Sequence, residues 1–192
     1  MKTEIIAIID RSGSMASIVK DAIGGFNTFL ADQKTVPGEA RMTLALFDDR
    51  FEYLYAGKPL VEADPLTDKT FVPRGGTALL DAIGRTLNEQ GARIKGDGWA
   101  EKVIVCILTD GGENQSCEFR QDQIKTMVKH AEEHGWSFVF LAANQDAFAA
   151  GASYGISAAH TMAFAANAVG TQSAYTSMST TTRSLRGASV VP

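Results

Sequence analysis

Glu4-Ile5-Ile6-Ala7-Ile8-Ile9-Asp10-Arg11-Ser12-Gly13-Ser14 passes from an unbroken β-branched run into a short polar loop. A run with no polar alternation fits a strand covered on both faces, as in a parallel sheet. Lys102 to Leu108, Ser137 to Ala142 and Met42 to Phe47 repeat the pattern, which gives four central strands. Between them, Ile18, Ala22, Ile23, Phe26 and Leu30 share one helical stripe, as do Leu80, Ile83 and Leu87, and Ile124, Val128 and Ala131. Strands alternating with amphipathic helices specify an α/β fold, a doubly wound three-layer α/β/α sandwich on a mostly parallel sheet. Arg50 to Tyr55 follows Phe47 after only Asp48 and Asp49. That connection is too short for a parallel crossover, so the segment is expected as one antiparallel edge strand.

The chain has 192 residues, 45% of them hydrophobic and 21% charged, which suits one globular domain with a real core. A net charge of -4 gives no electrostatic footprint for nucleic acid or an anionic membrane. The run Ile5 to Ile9 is too short for a signal peptide or a membrane span, and a cytoplasmic location is expected. Cys106 in an apolar run and Cys117 in a polar loop read as a core thiol and a bystander. Beyond Asp146 there is no acidic residue, and the Ala/Ser/Thr-rich remainder still shows a short strand at Met162 to Phe164 and helical spacing through Leu185. The expected boundaries are a domain over 1–186 and a short tail over 187–192.

In an open α/β sheet, ligands collect at the carboxyl ends of the strands where crossovers diverge. There the first strand runs into Asp10, Ser12 and Ser14, a crossover begins after Arg74-Gly75-Gly76-Thr77, and the Lys102 strand ends in Thr109-Asp110-Gly111-Gly112-Glu113-Asn114. Alternation lets Asp10, Ser12 and Ser14 aim at one point in an extended loop. With Thr77 and Asp110 they make a cage of two carboxylates and three hydroxyls. Such hard donors suit Mg²⁺ or Mn²⁺, admit Ca²⁺, and disfavour Zn²⁺ or Cu²⁺. A metal with open positions there can accept a carboxylate from elsewhere.

The D-x-S-x-S pattern at Asp10, Ser12 and Ser14, Thr77 after a glycine pair, and Thr109-Asp110-Gly111 resemble a von Willebrand factor type A (vWA) domain with its metal-ion-dependent adhesion site (MIDAS). The resemblance spans about residues 3 to 186. It implies that Ser12, Ser14 and Thr77 touch the metal by hydroxyl, Asp10 and Asp110 largely through water, and that an acidic residue of a protein partner completes the octahedron. Asp110 to Asn114, Trp136 and Ala143-Asn144-Gln145-Asp146 look most like the compact intracellular bacterial and phage members.

Each residue has a plainer reading. Asp10, Ser12 and Ser14 could form a turn and cap, Thr77 could cap a helix, and Asp110-Gly111 could be a routine turn. Glu113, Asn114 and Asp146 read as solvated loop polarity near the rim. Gly151-Ala152-Ser153-Tyr154-Gly155 matches a nucleophile-elbow pattern but lacks a strand directly before it and an acid after it. His130 and His134, among Lys129, Glu132 and Glu133 near a helix end, suit a solvated or dipole-facing role.

The leading expectation is a non-enzymatic, metal-dependent protein-binding module. One alternative is a Mg²⁺-dependent phosphotransfer enzyme with Asp10 as nucleophile, although the second acid such chemistry wants is replaced by Ser12. Another is a regulatory subunit of an ATPase or kinase assembly. Leu60 to Phe71, flanked by Pro59 and containing Pro65, is the expected variable part of the recognition rim.

Overall fold

A computed structural model of the chain describes residues 1–143 and 146–187. Six strands form one sheet: β1 (Thr3–Asp10), β2 (Ala40–Phe47), β3 (Phe51–Pro59), β4 (Lys102–Thr109), β5 (Trp136–Ala143) and β6 (Thr161–Phe164). Their order is β3-β2-β1-β4-β5-β6, and every neighbouring pair is parallel except β2 with β3. The uniform apolar runs become the middle of the sheet because only there are both faces of a strand covered. All eight residues of β1 are buried. The edge strand β3 extends to Pro59, four residues past Tyr55, and its ladder to β2 shifts register between Met42 and Ala45.

Helices α1 (Val19–Thr35) and α5 (Ala168–Leu185) cover one face; α2 (Leu79–Asp97), α3 (Gln121–Glu133) and the short α4 (Ala147–Ser153) cover the other. Alternation along β1 sorts the core. Ile5, Ala7 and Ile9 pack with Phe26, Phe29, Tyr175 and Met178, while Ile6 and Ile8 pack with Leu79, Ile83, Ile124 and Val128. The stripes on α1, α2 and α3 are thereby placed as their spacing requires, and the α/β/α sandwich with one antiparallel edge strand is the architecture found. Arg186, 6% exposed, reaches back from the end of α5 to the carbonyl of Gln33 at 2.7 Å. No helix among the described residues is long and apolar enough to cross a membrane.

The segment 60–71 departs from expectation. It starts beside Arg41, at the pole opposite the ends of β1 and β4, and runs back along α1 with Leu60, Ala63, Leu66 and Phe71 buried in the core. Asn27 holds Leu66 by both backbone groups, at 2.9 and 2.7 Å, and Lys34 Nζ donates to the Ala63 carbonyl at 2.8 Å. Apolar residues within this proline-containing stretch give it a packing role, so it is a strap on α1 rather than a free recognition loop.

Candidate metal centre

β1 and β4 are adjacent, and their crossovers leave to opposite sides of the sheet, which brings the loops after Asp10 and Thr109 together at the switch point. Asp10 Oδ1 accepts the backbone N–H of Ser12 at 2.6 Å, the local turn that short acidic side chains favour. The next residues, Gly13–Ile18, form a 3₁₀ turn before α1. At its start Ser12 Oγ and Ser14 Oγ lie 3.0 Å apart, and Ser14 Oγ donates to Asp110 Oδ1 at 2.6 Å. Thr109 Oγ1 donates to the other oxygen of Asp10, Oδ2, also at 2.6 Å.

The Thr77 loop is fastened independently. Arg74 N–H donates to the Arg11 carbonyl at 3.0 Å and Gly13 N–H to the Gly75 carbonyl at 3.1 Å. Gly75 has φ +64°, and a Cβ there would strike Asp49, so glycine is required for this approach. Asn114 grips Thr77 from both sides, its Oδ1 accepting the Thr77 N–H at 2.9 Å and its own N–H donating to the Thr77 carbonyl at 3.0 Å. The N-cap of α2 is Ala78, and the first-turn N–H of Leu80 donates to Glu113 at 2.9 Å. Thr77 therefore does not cap the helix. Its hydroxyl faces the same space as Ser14: a Cβ built on Gly111 would lie 3.6 Å from Thr77 Oγ1 and 3.7 Å from Ser14 Oγ.

All five expected ligand residues thus stand at one edge of the sheet. Asp10, Ser12, Ser14 and Asp110 are joined by hydrogen bonds, and Thr77 reaches the cluster across Gly111. Burial raises the Asp10 carboxyl to about 6, against the hydrogen bonds from Thr109 and Ser12, and raises Asp110 against the hydrogen bond from Ser14. Two buried carboxylates near each other leave negative charge that protein donors offset only in part, which is the condition a divalent cation relieves. The neighbouring Arg11 supplies no relief, because its guanidinium turns away to Asp48 at 2.8 Å and to Glu52. Among the described residues no three His, Cys, Asp or Glu side chains form a cluster, so the donors here are hydroxyls and two carboxylates. The donor set fits a hard divalent ion.

Several supporting residues were not legible as such. Glu113, half-buried, and Asn114, exposed at the rim, also hold the α2 start and Thr77, a bracing role beyond loop polarity. Asp81 accepts the N–H groups of Cys117, Glu118 and Phe119, each at 2.9 Å, and so fixes the loop that follows Asp110. Asp146 Oδ1 caps α4 through Ala149 N–H at 3.0 Å; Asn144 and Gln145 lie outside the described residues. Ser153 sits in α4 with its hydroxyl on the Ala150 carbonyl, which is not the strand-to-helix turn of a nucleophile elbow.

No protein-family model and no curated protein matches the sequence. Solved structures do match its fold. The vWF domain of the type V pili tip protein Mfa5 from Porphyromonas gingivalis superposes with a TM-score of 0.68 at 12% identity, covering 99% of this chain and 97% of that one. Proximal thread matrix protein 1 from the mussel byssus, solved with a zinc-occupied MIDAS motif, gives 0.65 at 14% identity over 94% of this chain and 46% of its own. Manganese-loaded TRAP from Plasmodium vivax gives 0.51 at 15% identity over 73% and 57%. The chain spans about half the length of the mussel protein it matches. The fold is that of a vWA domain.

Proposed function

We propose that this chain is a non-enzymatic protein-binding module that holds a divalent metal, Mg²⁺ or Mn²⁺, on Asp10, Ser12, Ser14, Thr77 and Asp110. The observation that carries the reading is the convergence of hydroxyl and carboxylate oxygens from three loops, with Ser14 bonded to Asp110 and Thr77 facing the same space. When bound, the ion supplies a Lewis-acid position for a carboxylate of a protein partner. The chain's own part is to hold its two aspartates at the sheet edge, present its hydroxyls, and keep Arg11 on Asp48. The zinc-occupied motif of the mussel protein and the manganese-loaded TRAP protein support a divalent ion on this fold. The phosphotransfer alternative is less well supported, because both Asp10 oxygens accept hydrogen bonds and position 12 offers a hydroxyl where an acid is wanted.

The test is thermal melting of metal-stripped protein with and without Mg²⁺ or Mn²⁺, repeated on Asp10→Ala and Thr77→Ala. Metal at 100 times its dissociation constant stabilises the native state by about 2.7 kcal/mol. A shift that both variants lose supports the site. No shift, together with a blank Mn²⁺ titration, overturns it.

A further inference from the structure

A second group of potential ligands lies at the C-terminal end of α3, where His130 is in the last turn and His134 is the residue that ends the helix, away from the sheet edge that carries the oxygen cage. His130 and His134 are one helical turn apart, both exposed, with ring centroids 4.4 Å from each other. His134 Nδ1 lies 2.8 Å from the His130 carbonyl oxygen. A carbonyl only accepts, so in the neutral ring Nδ1 carries the proton and Nε2 keeps its lone pair. That is the arrangement of a metal-ligating histidine, whose second ring N–H is fixed by a backbone carbonyl. His130 makes no ring hydrogen bond among the described residues. Both rings line a cleft of 520 Å³ between α2 and α3, together with Trp136, Lys95 and Glu101.

From this geometry we infer a two-histidine site for a borderline transition metal, Cu²⁺ or Ni²⁺ above all, with water or an external donor in the remaining positions. Spacing of i and i+4 across the helix end brings the two imidazoles side by side, with centroids 4.4 Å apart, as in helical zinc-binding pairs. Imidazole nitrogen selects Cu²⁺, Ni²⁺ and Zn²⁺ over Mg²⁺ and Ca²⁺, the reverse of the hydroxyl and carboxylate cage. The cleft carries lysine as well as glutamate, so binding depends on the lone pairs and not on a negative field. The two sites thus sort metals by donor chemistry within one chain.

The test uses Trp136 emission in a Trp99→Phe, Asp10→Ala background, since Trp99 stacks under Arg41 at 4.1 Å and Asp10 belongs to the other site. Cu²⁺ and Ni²⁺ are expected to quench Trp136 saturably while Mg²⁺ does not. His130→Gln and His134→Gln are each expected to weaken this by about ten-fold or more. Both histidines are exposed, so unchanged melting temperatures would show that the variants fold. The inference is overturned by absent or non-saturable quenching, by quenching unchanged in both variants, or by loss in only one of them.

Discussion

Ser14 Oγ donates a 2.6 Å hydrogen bond to Asp110 Oδ1 across 96 positions of sequence. Thr109 returns the arrangement, its hydroxyl meeting Asp10 Oδ2 at 2.6 Å. Each loop therefore holds the other's aspartate, and the two carboxylates are set in place by their neighbours and not only by their own backbone. Thr109→Val keeps the shape of a fully buried residue and removes the donor to Asp10. Losing such an orienting partner weakens metal affinity by about ten- to a hundred-fold. A Mn²⁺ titration of the variant checks this, and unchanged affinity would show that Thr109 does not orient Asp10.

Asp81 makes a second brace one layer out. Its carboxylate, 7% exposed, satisfies three consecutive N–H groups of the loop after β4. Asp81→Ala leaves these donors to find water or go without, at a cost of about 1–3 kcal/mol. Urea unfolding measures the loss. Amide exchange at Cys117, Glu118 and Phe119 is expected to accelerate more than exchange in β4, and uniform acceleration would show that Asp81 acts on global stability alone.

The sheet was legible because the β-branched runs at Ile5–Ile9 and Val103–Leu108 leave little choice but a doubly covered strand, and strand adjacency then placed Asp10 beside Asp110. The braces were not legible. Whether Glu113 and Asn114 face water or the start of α2 depends on how the loop after Asp110 folds back, and nothing in Gly111-Gly112-Glu113-Asn114 specifies that direction. The strap over residues 60–71 was misread for a related reason. Pro59 and Pro65 suggested a loop, while Leu60, Ala63, Leu66 and Phe71 lack the period that marks a buried element, yet all four are buried by contact with α1 and the sheet.

Gly24 and Gly25 sit side by side in α1 and differ in what they face. A Cβ on Gly24 meets nothing within 4 Å, whereas on Gly25 it would run into the ring of Tyr175, which is 2% exposed. Gly24→Ala is expected to stabilise by up to about 1 kcal/mol through helix propensity. Gly25→Ala gains the same propensity but overpacks the α1–α5 contact by about 1–3 kcal/mol, so it destabilises on balance. Urea unfolding of both variants tests the contrast, and equal effects would mean that the Tyr175 ring yields at little cost.

Glu4 supplies a pH dependence separate from the proposed metal site. It is fully buried on β1, accepts from Thr43 at 3.0 Å and pairs with Arg93 at 2.6 Å. Burial nevertheless outweighs Arg93 and Thr43, so its carboxyl titrates above the ordinary 4.5. The folded state then holds this proton more tightly than the unfolded one. The contribution to stability is fully present below about 4.5 and is lost as pH rises through the raised folded value. Glu4→Gln cannot ionise and lacks that slope, while Arg93 keeps a second carboxylate, Asp97, at 3.5 Å. Relative to the wild type, the variant is therefore expected to gain stability steadily as pH is raised from acidic to neutral. Urea unfolding of both proteins across that range decides it: a difference that stays constant with pH would show that Glu4 titrates alike in the folded and unfolded chains.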